Sequence, residues 1–455
     1  METCDLIILG GGSAGFGAAY QALLHGNFRV ILVEQNPGLG GLSTFGGVNC
    51  WEPGISGTGV HQILAHRLQE SGNGFVGRFY NEVTPETPWG HSKRCDDPYE
   101  TTLRRGYILD PDLRRFHFEP AAMDKTMQEL LAEVSGDRLE LLLNSHFESL
   151  TCENGHITTL QIQSRGHTRT FVPKLVLDCS SDICIASACG CQTLIGDESK
   201  ALFNEPSASS SPCGELNGIT QVFRVTPASP GYIQDVPKAY ADVDLTDWYA
   251  YMDSTNGPIA CFNDYPNGDI NINMLPTIEG TALLSMPLAQ LKHLCEARAY
   301  AYWNWVATRH GFTGYRVKTM FPMLGIRESR RLLGRYTLRE QDLDAGIPAP
   351  GKERIIAWAD HPADRHRGGG NASVLCRFDK YGIPYDCLLP PSPDNLIVAC
   401  RGASFSHIAG SSARLSRTMM ALGEAAGLAA CQCVEQNISP AAVDVSLIRK
   451  MMNVE

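Results

Sequence analysis

Residues 5–35, DLIILGGGSAGFGAAYQALLHGNFRVILVEQ, carry two short apolar runs on either side of a segment with helical spacing. DLIILG ends in glycine, SAGFGAAYQALLHG stops at Gly26, and FRVILVEQ reads as a second buried strand, so the order is β-α-β. Between the first strand and the helix lies G-x-G-x-x-G as Gly10, Gly12 and Gly15, with Ser13 and Ala14 inside the motif. The second strand ends at Glu34 and Gln35, Glu34 standing 24 residues after Gly10. In such a unit the first glycine permits a tight turn, the second lets the backbone approach a pyrophosphate, and the third lets helix and strand pack closely. The free N–H groups of the helix then face the phosphates, and the acid accepts hydrogen bonds from a ribose. The glycines alone would fit an ordinary Gly-rich turn. With both strands, the helix and the terminal acid present, the reading is a dinucleotide-binding unit.

The unit by itself does not choose between NAD and FAD. Gly40 and Gly41 follow Glu34 by six and seven positions, in NPGLGGLSTFGG, and a nicotinamide-type unit has no need of a second glycine loop there. An extended FAD does, because its pyrophosphate and ribityl chain need a second close backbone approach. Ser43 and Thr44 add candidate hydroxyl and amide donors. At the carboxyl end, DNLIVACRGASFSH reads as a buried strand over residues 396–400, then a loop, then a small-residue helix over about residues 413–434. Gly423, Ala426, Gly427 and Ala430 suit that helix to press against a neighbouring backbone. Its amino terminus is a candidate partner for the pyrimidine edge of a flavin, the alternative being a tightly packed core helix.

The segments ILGGGSAGFGAAYQA, GGLSTFGG, LVLDCSSDICIASACG, LGIRESRRLLGRYTLREQD and NLIVACRGASFSHIAGSSARLSRTMMALGEAAGLAA together resemble the FAD-dependent oxidoreductases with a glutathione-reductase-type FAD fold, in particular a poorly characterised bacterial group. The resemblance implies an α/β chain with a Rossmann-like FAD-binding domain and an inserted α+β substrate domain. It places Gly10, Gly12, Ser13, Ala14, Gly15, Glu34 and Gln35 on the ADP half of FAD, and Gly41, Leu42, Ser43 and Thr44 near the ribityl chain. It also implies a backbone contact from Phe147 to adenine, with Asp182, Arg401 and Arg414 completing the cofactor set. Ser181 stands where the family has glycine, which questions the backbone conformation there.

The expected division is 1–72, 119–199 and 319–455 for the three parts of the FAD domain, 73–118 for a surface excursion and candidate lid, and 200–318 for the substrate domain. SGTGVHQILAHRLQESG, residues 56–72, reads as a helix with Val60, Ile63, Leu64 and Leu68 on one face. The excursion contains Trp89, Tyr99 and Tyr107, which are costly to leave in water. ITQVFRV and GDININM alternate every second residue and precede a long helix holding Tyr302, Trp303 and Trp305, a run more often core than ligand stack. No second G-x-G-x-x-G follows a strand, and RGGGN at 367–371 lacks strand and helix, so no separate NADPH domain is expected.

For chemistry, RESRRLLGR read as a helix places Arg327, Arg330 and Arg331 on one face, suited either to clamp an anion or to build an ion-pair network. His361 and His407 match histidine positions of the resembling family, and Asp360 is a candidate to orient His361. Arg327, His361 and His407 are therefore the catalytic candidates. The expected activity is hydride transfer at flavin N5 to or from a small organic substrate, an anion being the candidate, with an unidentified electron donor or acceptor. The alternatives are an FAD-requiring enzyme of net non-redox chemistry and a nucleotide-binding regulatory protein.

The 455-residue chain has a formal net charge of −11, which argues against nucleic acid or anionic lipid as partner. Without a long apolar run or a signal-like opening, a cytoplasmic protein is expected. Its sixteen cysteines read as reduced thiols, and neither CGC (Cys189, Cys191) nor CQC (Cys431, Cys433) has metal-site spacing, so no metal is expected. Disulfide reductases of the same broad fold carry GG-x-C-x4-C after the glycine pair, but Ser43 and Val48 occupy those places here. Cys50 is out of register, so a dithiol relay is not expected.

Overall fold

β1 (Glu2–Leu9), α1 (Ser13–His25) and β2 (Val30–Val33) form the expected β-α-β unit, the two strands parallel with Leu6 opposite Val30 and Leu9 opposite Val33. The computed structural model describes residues 1–454 except 56–58, 81–90, 105–113, 213, 256, 367–371 and 376–378. Trp89, Tyr107, the RGGGN segment and the start of the helix expected over 56–72 lie outside the described residues. Strand Leu139–Leu142 pairs with β2, and strand His167–Asp178 with the other side of β1, both parallel. Leu396–Val398 joins the latter in parallel, while His156–Ser164 and Ser145–Glu153 extend the sheet antiparallel to seven strands. β1 reads as an unbroken apolar run because both its faces are covered: Leu6 and Ile8 enter one core cluster, Ile7 and Leu9 another.

The carboxyl-terminal helix, Ser416–Gln436, starts later than expected. A short helix, His407–Ala413, precedes it, and Leu415 between them is extended at φ −68°, ψ 150°. The long helix lies on α1 backbone to backbone. A Cβ at Gly423 would stand 1.9 Å from the Ala14 carbonyl oxygen, and one at Gly427 would stand 2.3 Å from that of Ala18.

Glu424 is buried in this contact. Its Oε1 accepts from Gln21 Nε2 at 2.8 Å and from Val60 N at 2.9 Å, and its Oε2 is buried with no partner among the described residues. Burial outweighs those two bonds and pushes its carboxyl up to about 7. From the unfolded carboxylate value of about 4.3 up to that folded value, the folded chain keeps a proton that the unfolded chain has lost. Stability therefore falls as pH rises through this window, by up to about 1.4 kcal/mol per pH unit, and levels off above it. Glu424→Gln is expected to remove that decline, giving unfolding free energies from denaturant titration that no longer separate between about pH 5 and about pH 8 on its account.

The second sheet has eight strands in the order Tyr315–Met320, Phe223–Pro227, Ile270–Asn273, Cys261–Asp264, His91–Cys95, Gly74–Tyr80, Arg114–Phe118 and Cys50–Trp51. Residues 73–118, expected as a surface excursion, thus supply three strands to the sheet that residues 223–320 complete. The two halves join where Phe262 and Asn263 pair in parallel with His91 and Ser92. Of the aromatics named for that segment, Tyr99 is core: it packs with Trp51 and Phe116, Trp51 packs on Phe118, and all four rings are buried. Helix Leu288–His310 packs Tyr302, Trp303 and Trp305 into the core of the same sheet. Helix Val60–Glu70 buries Val60, Leu64 and Leu68 as expected, but His61 takes the buried place expected for Ile63, which is exposed. Among the described residues no helix is long and apolar enough to cross a membrane.

Candidate functional site

Gly10, at φ +98°, makes the turn out of β1, where a Cβ would strike the Cys179 carbonyl at 2.5 Å. Gly15 is wedged so closely that a Cβ would lie 1.7 Å from the Gly10 oxygen. Gly12 differs: a Cβ there would meet nothing within 4 Å, and Gly12 is the residue that caps α1 without any side-chain hydrogen bond. An uncapped helix start facing open space has N–H groups to offer an anion. The second glycine loop lies against the first. Gly40 N donates to Gly11 O at 2.8 Å, and a Cβ at Gly41 (φ +53°) would stand 3.4 Å from Gly12 Cα. These features fit the pyrophosphate of FAD.

Glu34 is buried, its Oε2 accepting from Gly11 N at 2.7 Å and its Oε1 from Asn36 N at 2.8 Å and Asn36 Nδ2 at 2.6 Å. Burial, only partly offset by these bonds, raises its pKa. Gln35 is exposed beside it. The hydroxyl of Thr44, expected as a donor to the cofactor, instead donates to Leu39 O at 2.6 Å, and the amides of Ser43 and Thr44 close turns on Gly40 O and Gly41 O. Ser43 Oγ is 3.4 Å from Ser416 Oγ, which ties the second loop to the first residue of the carboxyl-terminal helix.

Phe147 follows Ser145, whose N–H donates to Glu34 O at 2.9 Å, so it stands near the end of β2. Ser181 adopts φ +69°, the left-handed conformation that a glycine would take without strain. Asp182 Oδ2 pairs with Arg330 Nη1 at 2.5 Å near the surface.

The arginines of RESRR do not share a helical face. Residues 326–330 are irregular and Arg331–Leu332 is a short strand, because each guanidinium is drawn to a different partner. Arg330 goes to Asp182, and Arg331 is buried between Glu198 and Glu328 at 2.5 and 3.1 Å. Arg327 Nη1 donates to Gly218 O and Thr220 Oγ1, both at 2.8 Å, and no carboxylate lies within ion-pair distance of it among the described residues. Burial and, after it, the neighbouring Arg414 push its pKa down. His407 Nδ1 is 2.9 Å from Glu328 Oε1, and the His407 backbone N–H donates to Glu198 Oε2 at 2.8 Å. Burial alone would raise Glu328, but His407 and Arg331 hold it at about 2. A small cavity is lined by Asn217, Arg327, Glu328, Arg331, Arg401 and Gly410, which brings together two arginines expected to serve substrate and cofactor. Arg401 Nε is buried with no hydrogen-bond partner among the described residues.

Arg414 donates to Asp364 O at 3.3 Å, with its Nε buried and unpartnered among the described residues, and Asp364 Oδ2 is 2.7 Å from His366 Nε2. His361 is not oriented by Asp360, whose Oδ2 accepts from Ile55 N at 3.1 Å. Its Nε2 lies 3.0 Å from Glu52 Oε2, and Arg115 Nη2 is 3.6 Å from Glu52 Oε1. Burial opposes ionisation of Glu52, but the His361 hydrogen bond and Arg115 hold its carboxyl well below the usual range. Glu52, Arg115, Asp364 and His366 were not read from the sequence. The one signal was the charge on the short strands RRFHF and ADRH, where Arg115 is buried and Asp364 and His366 are half-buried.

Cys50 Sγ is 3.8 Å from His117 Nε2, and burial pushes the thiol up to about 12. Burial and Arg115 hold His117 down at about 3, so the imidazole is neutral and does not stabilise a thiolate. Cys50→Ser is expected to keep FAD bound and leave substrate-driven flavin reduction within about tenfold, a barrier change of about 1.4 kcal/mol. Anaerobic absorbance at the flavin band checks both.

A family model described as FAD dependent oxidoreductase matches residues 5–452. No curated protein sequence matches the chain. Similar solved structures include p-nitrophenol 4-monooxygenase PnpA from Pseudomonas putida DLL-E4, at 11% identity over 99% of this chain and 86% of that one, with TM-score 0.48. A geranylgeranyl bacteriochlorophyll reductase-like protein from Thermoplasma acidophilum is similar at 12% identity over 100% and 83%, with TM-score 0.44. The myxobacterial chondrochloren halogenase CndH is similar at 9% identity over 99% and 79%, with TM-score 0.43.

Proposed function

The chain belongs to the FAD dependent oxidoreductase family, with FAD as its cofactor, and from that premise we propose that it oxidises or reduces a small anionic organic molecule by hydride transfer at flavin N5. The observation that carries the reading is Arg327: a half-buried guanidinium without a carboxylate partner among the described residues, beside Arg414. Asp364, whose carboxylate is 3.9 Å from Arg414, offsets one of these two positive charges, and the other is left to attract an anion from outside the chain. In this reading the FAD half has the glutathione-reductase type of fold, supported by the paired glycine loops and the carboxyl-terminal helix laid on α1. Gly10 to Gly15, Glu34 and Gln35 hold the ADP moiety with Phe147 beside it, Gly41 to Thr44 follow the ribityl chain, Asp182 and Arg401 complete the set, and Arg414 stands between cofactor and substrate.

Bound FAD supplies the two-electron chemistry. The protein supplies orientation through Arg327, and His361 and His407 are the groups that hold or move a proton. The strands of residues 223–320 form the substrate side.

The reading is tested anaerobically, by following bleaching of the bound flavin with sugars, hydroxy acids, amines, enoates and nicotinamides. An anionic member is expected to bleach it, and Arg327→Gln to raise the concentration needed by about tenfold or more. Failure of every donor, with turnover of one of them in the absence of any electron acceptor, sinks the hydride reading in favour of net non-redox chemistry.

A further inference from the structure

Glu52 follows directly on the strand Cys50–Trp51 that leads out of the second glycine loop, and the fold brings it to His361, 309 positions along the chain. Both residues are anchored through their backbones to the start of the carboxyl-terminal helix and the short helix before it. Arg417 donates to the Glu52 carbonyl oxygen, and Ser412 Oγ to that of His361. Arg417 adjoins Ser416, whose hydroxyl reaches Ser43 of the glycine loop at 3.4 Å, so the pair stands beside the cofactor cradle. Glu52, ionised next to Arg115, accepts from His361 Nε2 at 3.0 Å. In the neutral ring that hydrogen bond places the proton on Nε2 and leaves Nδ1 with its lone pair. Nδ1 is buried and has no hydrogen-bond partner among the described residues. An acceptor left so in a folded interior marks a place for a hydrogen-bond donor from outside the chain.

We propose that Glu52 is a positioning residue that fixes His361 in its Nε2–H tautomer, so that Nδ1 takes the hydroxyl proton of a hydroxy carboxylate whose acid group meets Arg327 and Arg414. This rests on the reading of the site given under the proposed function. In the oxidation the substrate O–H bond breaks with its proton going to Nδ1. The C–H bond on the same carbon breaks with both electrons leaving as hydride to the bound FAD, and a carbonyl forms. The substrate loses two electrons and the cofactor gains them. Glu52 then faces an imidazolium and offsets its charge, as a buried acid does for a general-base histidine elsewhere.

The test uses FAD-loaded protein with ring-¹⁵N histidine, the His361 resonances being assigned by their loss in His361→Gln. The wild type is expected to show a protonated Nε2 and a pyridine-like Nδ1. Glu52→Gln, whose amide can donate to Nε2, is expected to shift population to Nδ1–H. In parallel, flavin reduction by a panel of hydroxy carboxylates is expected to slow by about a hundredfold or more in Glu52→Gln with the half-saturating concentration within about threefold, the split of a proton-transfer defect. If Glu52→Gln does not load FAD, Glu52→Asp, which keeps the charge but withdraws it from Nε2, is expected to show the same tautomer change. An unchanged tautomer, or reduction by a hydroxy carboxylate that Glu52→Gln leaves within about threefold of wild type, overturns this proposal alone. Wild-type flavin that no donor of any class reduces overturns the hydride reading and the substrate class with it.

Discussion

Gly12→Asp is expected to strengthen the apo fold while abolishing useful affinity for FAD. Gly12 sits at φ −69° and ψ −168°, extended backbone that any residue adopts, and a Cβ there meets nothing within 4 Å. It precedes a helix that has no side-chain cap, and aspartate is among the best residues for that place. The apo protein should gain up to about 1 kcal/mol from the new cap and the helix dipole. The same carboxylate would occupy the N–H groups that otherwise face a pyrophosphate, and would add a like charge. FAD affinity should fall about a hundredfold or more, about 2.7 kcal/mol. Flavin fluorescence titration gives the affinity, and thermal melting of the apo protein gives the stability. Affinity within about threefold of wild type would place the phosphates elsewhere.

The second large effect is expected from Gly423→Ala, a single methyl group placed between two helices. Its Cβ would stand 1.9 Å from the Ala14 carbonyl oxygen, and backbone at that distance has no flexible side chain to yield. The helices would have to separate by about 1 Å or more, opening the contacts at Gly427 against Ala18 and at Gly17 against Met420 as well. We expect a loss of about 3 kcal/mol of stability, at the upper end for overpacking, read from a lowered urea midpoint and Tm. Because Ser416 at the start of the same helix meets Ser43 of the glycine loop, FAD binding should weaken in parallel. A variant with wild-type stability would mean that the two helices are not held backbone to backbone.

These two positions were legible for the same reason. Gly10, Gly12 and Gly15 act within one turn, Glu34 ends the next strand, and the pairing of small residues on the carboxyl-terminal helix repeats at helical spacing. Each demand is local, so the order of residues along the chain states it. The second sheet was harder. The strands between residues 74 and 118 are short and interrupted by polar and proline-rich runs, and their partners at 223–320 come far later, so burial of Trp51, Tyr99 and Phe116 was invisible to periodicity.

The charged groups show the limit most sharply. Spacing placed Arg327, Arg330 and Arg331 on one helical face. Asp182, Glu198 and the Gly218 carbonyl draw them three ways, and the chain follows these partners rather than the spacing. Asp360 adjoined His361 in sequence and was the natural choice to orient it. The fold gives Asp360 to the amide of Ile55 and brings Glu52 to the imidazole instead. The sequence by itself determined the β-α-β unit with its glycine turns and the small-residue helix that packs on it, because turns, helix starts and small-residue contacts are set by neighbours within a few positions. The tertiary structure alone decided which carboxylate faces which histidine or arginine. Hydrogen bonds and Coulomb attraction depend on distance in space, and that distance exists only once the two sheets and the carboxyl-terminal helix have come together.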